Sequence, residues 1–162
     1  MKRLLSLAIA LAALSPVYGE QAHAMAPQTP ARPLVTVGRI SIPRLKVSSA
    51  IYKGVTDRQF DKGVGYWPGT ALPGKAGNMV IGGHRTSGRR PFYDIEKMQI
   101  GDIITVSRPG QSFSYRVSRT MVVRPTDVWI VNPTPKATLT LFTCHPRGST
   151  SRRYVVRAVL IP

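Results

Sequence analysis

The chain has 162 residues, enough for one domain with a sizeable core, and a formal net charge of +16 from 23 Lys and Arg against 7 Asp and Glu. The charge invites a nucleic-acid reading, but the basic residues are scattered from Arg32 to Arg157 with no helix-length block or basic tail. No nucleic-acid partner is therefore expected, and an anionic extracellular surface (wall polymers or lipid headgroups) fits better, beside the plain alternative of a solvated basic face.

Residues 1–24 have the layout of a secretory signal peptide. Lys2 and Arg3 open it, an apolar run spans Leu4 to Leu14, and Ala22-His23-Ala24 is a small-x-small cleavage site. The run falls short of the roughly 20 apolar residues of a spanning helix, and Pro16 interrupts it. A short membrane anchor is the alternative. Losing Lys2, Arg3 and Glu20 would change the net charge only from +16 to +15. Residues 25–33, MAPQTPARP, read as a proline-rich linker, and 34–162 as one domain.

Within that domain LVTVGRISI (34–42) and KVSSAIY (46–52) read as strands separated by a Pro43-Arg44-Leu45 turn. TDRQFDKGVG (56–65) carries an N-cap candidate, Thr56, and one or two turns of helix. YWPGTALPGKAG (66–77) is loop. NMVIGG (78–83) is a short buried-type strand ending in glycines, and a brief helix is expected around Phe92 to Met98. The runs IITV, SFSYRVSRTMVV, WIV, ATLTLFTC and YVVRAVLI follow, separated by turn residues. No window carries a long helical stripe and no repeat is present. About eight short strands in one small domain predict an all-β barrel or sandwich.

The only cysteine, Cys144, has His145 beside it and an arginine pair, Arg152 and Arg153, downstream. A lone cysteine in an exported chain is a reactive thiol or a partner for another chain, or a small buried hydrophobe. As a nucleophile it needs a base, and the domain offers two histidines, His84 and His145. Neighbouring strand residues point to opposite faces, and Pro146 restricts His145 to extended conformations. His145 is therefore the poorer base. His84 follows an apolar strand and two glycines, which let the backbone leave a strand abruptly and present a side chain at a barrel rim.

Attack on a carbonyl also needs a donor for the developing oxyanion, and arginine supplies a rigid, always-charged fork. Arg153 directly precedes YVV and is thus held at a strand end, with an eight-residue connection back to Cys144; Arg152 points to the other side. Ordinary surface charge is the plain reading of either arginine alone. One cysteine, two histidines and few carboxylates form no spaced metal-ligand set, and no phosphate loop or Gly-x-Ser-x-Gly elbow is present. Neither metal nor cofactor is expected. Tyr66, Trp67 and Tyr93 read as loop aromatics, open to lining a peptide groove or to packing.

These residues also resemble a known family. TLTLFTC is similar to the Thr-Leu-x-Thr-Cys strand of sortases, extracellular cysteine transpeptidases of Gram-positive bacteria; GHRTSGRRPF resembles their histidine segment and RRYVVRA their arginine strand. RISIPRLKVSSAIYKGV resembles the opening strands, and GVGYWPGTALPGKAGNMVIGGHRTS with TCHPRGS is most similar to the class E branch. The resemblance covers Leu34 to Ile161 in family order. It implies a closed eight-stranded β-barrel with one or two short helices or 3-10 turns, and Cys144, His84 and Arg153 converging at one rim.

It also implies a reaction: Cys144 attacks the Thr-Gly bond of a C-terminal sorting signal, by class analogy Leu-Ala-x-Thr-Gly. His84 serves as acid and base, Arg153 holds substrate and oxyanion, and Thr143 supports them through its hydroxyl or backbone N–H. The implied partners are secreted proteins bearing sorting signals and an amine acceptor from a cell-wall precursor or pilin-like protein, at the outer face of the envelope. The short N-terminus departs from a family that usually keeps a membrane anchor, and the calcium dependence of some relatives finds no acidic cluster here. Two further readings stand beside this one: a hydrolase using the same three residues with water, and a non-catalytic basic barrel binding anionic wall polymers.

Overall fold

Alternating apolar residues account for the interior of the molecule. In the computed structural model, which describes residues 32–162, β1 (Thr36–Ile42) buries Ile40 and Ile42, and β5 (Ile103–Arg108) buries Ile104 and Val106. β6 (Gln111–Val123) buries Tyr115 and Val117, β7 (Ala137–His145) Leu139 and Leu141, and β8 (Arg152–Leu160) Val156 and Ala158. Each pair is two residues apart, so each points to one face of its strand. With Ile51 of β2 (Val47–Lys53), Val64 of β3 (Val64–Tyr66), and Met79 and Ile81 of β4 (Gly77–Gly82), they form one core. Burying such a side chain contributes about 1.5–3 kcal/mol. The expected signal peptide, residues 1–24, and nearly all of the linker lie outside the described residues.

The strands close into a barrel in the order β1-β2-β3-β4-β7-β8-β6-β5, with β5 paired back to β1. Two pairings are parallel, β2 with β3 and β4 with β7. A parallel pair needs a crossover, which for β2–β3 contains the short helix α1 (Asp57–Phe60). Thr56 caps it as expected: its backbone N–H donates to Gln59 Oε1 at 3.3 Å and its hydroxyl to the same atom at 2.6 Å. Pro109-Gly110 joins β5 to β6, and Gly110, at φ 73°, supplies the positive φ such a two-residue turn requires. Single 3-10 turns occupy Pro43–Leu45, Ile95–Lys97 and Val128–Val131.

Eight strands were expected and eight form, but one member differs. WIV, expected as a strand, lies in the 3-10 turn Val128–Val131, and the eighth strand is β3. In the closed barrel each strand already has two neighbours, so this short run finds no edge to pair with. It instead lays Ile130 over Val123 and Val155 on the outer face. The Ile130 carbonyl accepts from Asn78 Nδ2 at 2.8 Å and Arg157 Nη2 at 3.3 Å, which fastens the turn to the wall. β3 escaped notice because a three-residue run with a central glycine carries no strand signal. That glycine is sterically required: a Cβ at Gly65 would lie 2.2 Å from the Gly54 carbonyl oxygen and 2.7 Å from the Phe60 ring. Tyr66, read as a loop aromatic, ends β3 in the core and its hydroxyl donates to the Thr70 carbonyl.

Beneath the end of β7 lies a charged layer. Arg85 is buried, with 2 % of its side chain exposed, and pairs with Glu96. It also donates to His145 Nδ1 at 2.7 Å and, over longer distances of 3.4 Å, to the carbonyls of Cys144 and Tyr93. Arg147 closes the layer, donating to Glu96 at 2.7 Å and Asp94 at 2.8 Å with its guanidinium 4.3 Å from the Tyr93 ring centre. A buried guanidinium is stable only while its partners satisfy it.

Two outcomes follow for unfolding in urea. Gly65→Ala is expected to lose about 1–3 kcal/mol through overpacking against backbone, and an unchanged midpoint would refute the steric role. Glu96→Ala leaves Arg85 uncompensated; because the carboxylate is 35 % exposed, the loss should fall at or below the low end of the ~3–5 kcal/mol of a fully buried pair. A neutral effect would show that water satisfies Arg85.

Candidate active site

The position of Cys144 is set by strand pairing. β7 and β8 run antiparallel with Cys144 directly opposite Arg153 and His145 directly opposite Arg152. Residues directly opposite share a face, with Cβ atoms about 4.5–5.5 Å apart. The thiol and the Arg153 guanidinium therefore project to the same side, and the neighbouring pair to the other. Cys144 is partly exposed and is not in a disulfide.

His84 reaches the same side along a different route. β4 pairs parallel with β7 up to Gly82 opposite Phe142, and the Gly83 N–H donates to the Phe142 carbonyl at 3.2 Å. The Thr143 hydroxyl then donates to the Gly83 carbonyl at 2.7 Å. The backbone just before His84 is thus stitched to the backbone just before Cys144. Both glycines are sterically required: a Cβ on Gly82 would meet the Phe142 ring at 2.5 Å, and one on Gly83 the Phe92 ring at 2.9 Å. Thr143 is buried, and its single hydroxyl hydrogen is committed to Gly83.

Cys144, His84, Arg153 and Thr143 all line one open cleft of about 630 Å³. Its walls include Asp57, Phe60 and Asp61 from the α1 region, Trp67, residues 83–87, and 148–150 of the β7–β8 connection. The Phe60 ring meets the imidazole of His84 edge-on at 5.4 Å between centroids. His84 Nε2 lies 3.1 Å from Asp61 Oδ1 and 3.8 Å from Asp57 Oδ1. Arg153 Nη1 donates to the carbonyls of Thr150 at 2.8 Å and Arg152 at 3.0 Å. Among the described residues it pairs with no carboxylate.

His145 sits apart from the cleft. Its ring packs on Tyr154 at 5.6 Å between centroids, and Nδ1 accepts from Arg85. A guanidinium can only donate, so that nitrogen is occupied as an acceptor. The strand-alternation argument against His145 as the base agrees with this placement. Trp67 lies against Phe142 at 5.8 Å, and both, with Arg153, continue the cleft into a smaller groove of about 160 Å³ beneath the 3-10 turn, lined also by Val128, Ile130 and Val131. Tyr93 lies with the Arg147 layer and outside both clefts.

The sequence reading missed Asp61, Arg85 and Glu96. The spacing of Asp57 and Asp61, four apart around a capped helix, put them on one face, but nothing in it named His84 as their partner. Alternation about His84 does send Arg85 to the opposite side; its burial against Glu96 needed the fold.

Comparison with known proteins agrees with this architecture. The sortase domain family model matches residues 40–161. Sortase SrtE1 of Streptomyces coelicolor is 32 % identical over 133 residues, covering 72 % of this chain and 38 % of the relative. Among solved structures, sortase C-1 of Actinomyces oris superposes with a TM-score of 0.75 at 34 % identity, over 78 % of this chain and 74 % of that one. Sortase A of Corynebacterium diphtheriae gives 0.76 at 32 % identity, over 80 % and 62 %. The chain spans between 38 % and 61 % of the length of the five relatives it matches in sequence. With the family model matching most of its length and the same closed eight-stranded barrel, the chain belongs to the sortase family.

Proposed function

We propose that the chain is a cysteine transpeptidase acting on C-terminal sorting signals, with Cys144 as nucleophile, His84 as acid and base, and Arg153 as oxyanion and substrate holder. The observation that carries this reading is the Cys144–Arg153 strand pair facing the cleft that His84 also lines. The Cys144 thiol gives its proton to His84 and its sulfur attacks the carbonyl carbon of the scissile Thr-Gly bond. As the C–N bond breaks, its electron pair leaves with the glycine nitrogen, which takes a proton from His84. The resulting thioester is attacked by an acceptor amine that gives its proton back to His84, and the thiolate departs. Arg153, paired with no carboxylate among the described residues, directs its remaining N–H groups at the developing oxyanion. Thr143 supports these groups by tying the histidine segment to the cysteine strand.

The groove running from Trp67 beneath Val128 and Ile130 supplies apolar surface for the residues preceding the scissile bond. Similarity to SrtE1 and the segments quoted above favour a class E assignment and a Leu-Ala-x-Thr-Gly signal. We place the domain at the outer face of the cell envelope, with residues 1–24 as its export signal. The net charge, +15 without residues 1–24, would hold it near anionic polymers, and a cell-wall precursor or pilin-like amine is the acceptor.

Incubation of the purified chain with a Leu-Ala-x-Thr-Gly peptide and triglycine should yield the ligated product. Cys144→Ala and His84→Ala should abolish ligation. Arg153→Ala should lower kcat about 10²–10³-fold, the range for loss of one oxyanion donor. Arg153→Lys should not restore it, since an ammonium lacks the planar fork. Arg152→Ala, which changes a side chain on the opposite face, should leave ligation within about two-fold of wild type, as surface substitutions away from such features do little. Ligation by Cys144→Ala at the wild-type rate would refute the reading. A cleaved but never ligated peptide would point to water as the acceptor.

A further inference from the structure

The proposed chemistry asks one imidazole to give a proton and later take one back, and so depends on which ring nitrogen carries the hydrogen. Asp61 Oδ1 lies 3.1 Å from His84 Nε2, whereas Nδ1 makes no hydrogen bond to protein among the described residues. A carboxylate can only accept, so in the neutral ring the hydrogen resides on Nε2 and the lone pair on Nδ1. The contact is built from several sides. Phe60, next to Asp61 in the chain, packs edge-on against the ring. Gly88, at φ 54°, closes over the contact: a Cβ there would lie 2.8 Å from Asp61 Oδ1 and 3.2 Å from His84 Cδ2. Only 15 % of the His84 side chain is exposed.

We propose that Asp61 is a positioning residue for His84. It holds the ring with Nε2–H turned to α1, which leaves Nδ1 as the nitrogen that exchanges protons with the thiol and with the leaving and entering amines. Asp57 Oδ1, at 3.8 Å, adds negative charge on the same side without a hydrogen bond. This inference rests on the transpeptidase reading. An ammonium-capturing role for the two carboxylates is a different idea, and the kinetics separate them. A positioning residue acts in both half-reactions, because His84 is the acid in the first and the base in the second. A capture site acts only through the acceptor.

The test uses the full chain and its Asp61→Ala and Asp61→Asn variants, with the sorting peptide and triglycine. Asp61→Ala should lower the rate of thioester formation, read as single-turnover release of the C-terminal fragment, about 10-fold or more, part of the ~10²–10⁴-fold that a positioned acid–base group supplies. The peptide KM should change less than two-fold. Asp61→Asn keeps an acceptor oxygen in place and should recover part of that loss. Nitrogen-15 NMR of the neutral His84 ring should show the Nε2–H tautomer in wild type and a mixture in Asp61→Ala, with thermal unfolding unchanged because Asp61 is on the surface. Fragment release at the wild-type rate by Asp61→Ala, an unaltered tautomer, or an effect confined to the triglycine KM would each overturn the proposal. Wild-type chain inactive in both half-reactions would instead refute the transpeptidase reading itself.

Discussion

The candidate active site depends on the register of one antiparallel strand pair. With Cys144 opposite Arg153, thiol and guanidinium share the cleft face, while His145 and Arg152 are paired on the other. A slip of one residue would exchange these sets, because side chains alternate with a period of two. The register is held from behind by the core, since Leu139, Leu141, Val156 and Ala158 reach the barrel interior only in this alignment. Hydrophobic burial, a non-directional force, is thereby converted into placement of two polar groups.

The third group is placed by the parallel pairing of β4 with β7, and here small residues matter more than large ones. Gly82 leaves room for the Phe142 ring and Gly83 for the Phe92 ring, and the Thr143 hydroxyl ties the two strand ends together. Threonine at this place serves through its side chain and not only through strand propensity: its hydroxyl donates to the Gly83 carbonyl at the end of β4.

A different balance holds the floor of the site. Arg85 is withdrawn from water almost entirely, which is costly for a charge. Glu96, His145 and the backbone carbonyls of Cys144 and Tyr93 offset that cost. The same contacts occupy the histidine next to Cys144, so the closest candidate base in sequence is consumed by structure while a distant one faces the cleft.

Much of this was legible from local pattern. Alternation in ATLTLFTC and YVVRAVLI marked two strands, and the same alternation separated Cys144 from His145 and Arg153 from Arg152. The glycines before His84 marked an exit from a strand, and the cap at Thr56 marked α1. These features are local, set by neighbours one to four residues apart, and the sequence alone determined them. Tertiary structure decided the rest. Whether VGY pairs as a strand and WIV does not depends on which barrel edges are already taken. Arg85 finds Glu96, and His84 finds Asp61 23 residues upstream, only once the barrel is closed. Such contacts join elements whose separation along the chain carries no periodic signal, and they form only where packing brings the surfaces together.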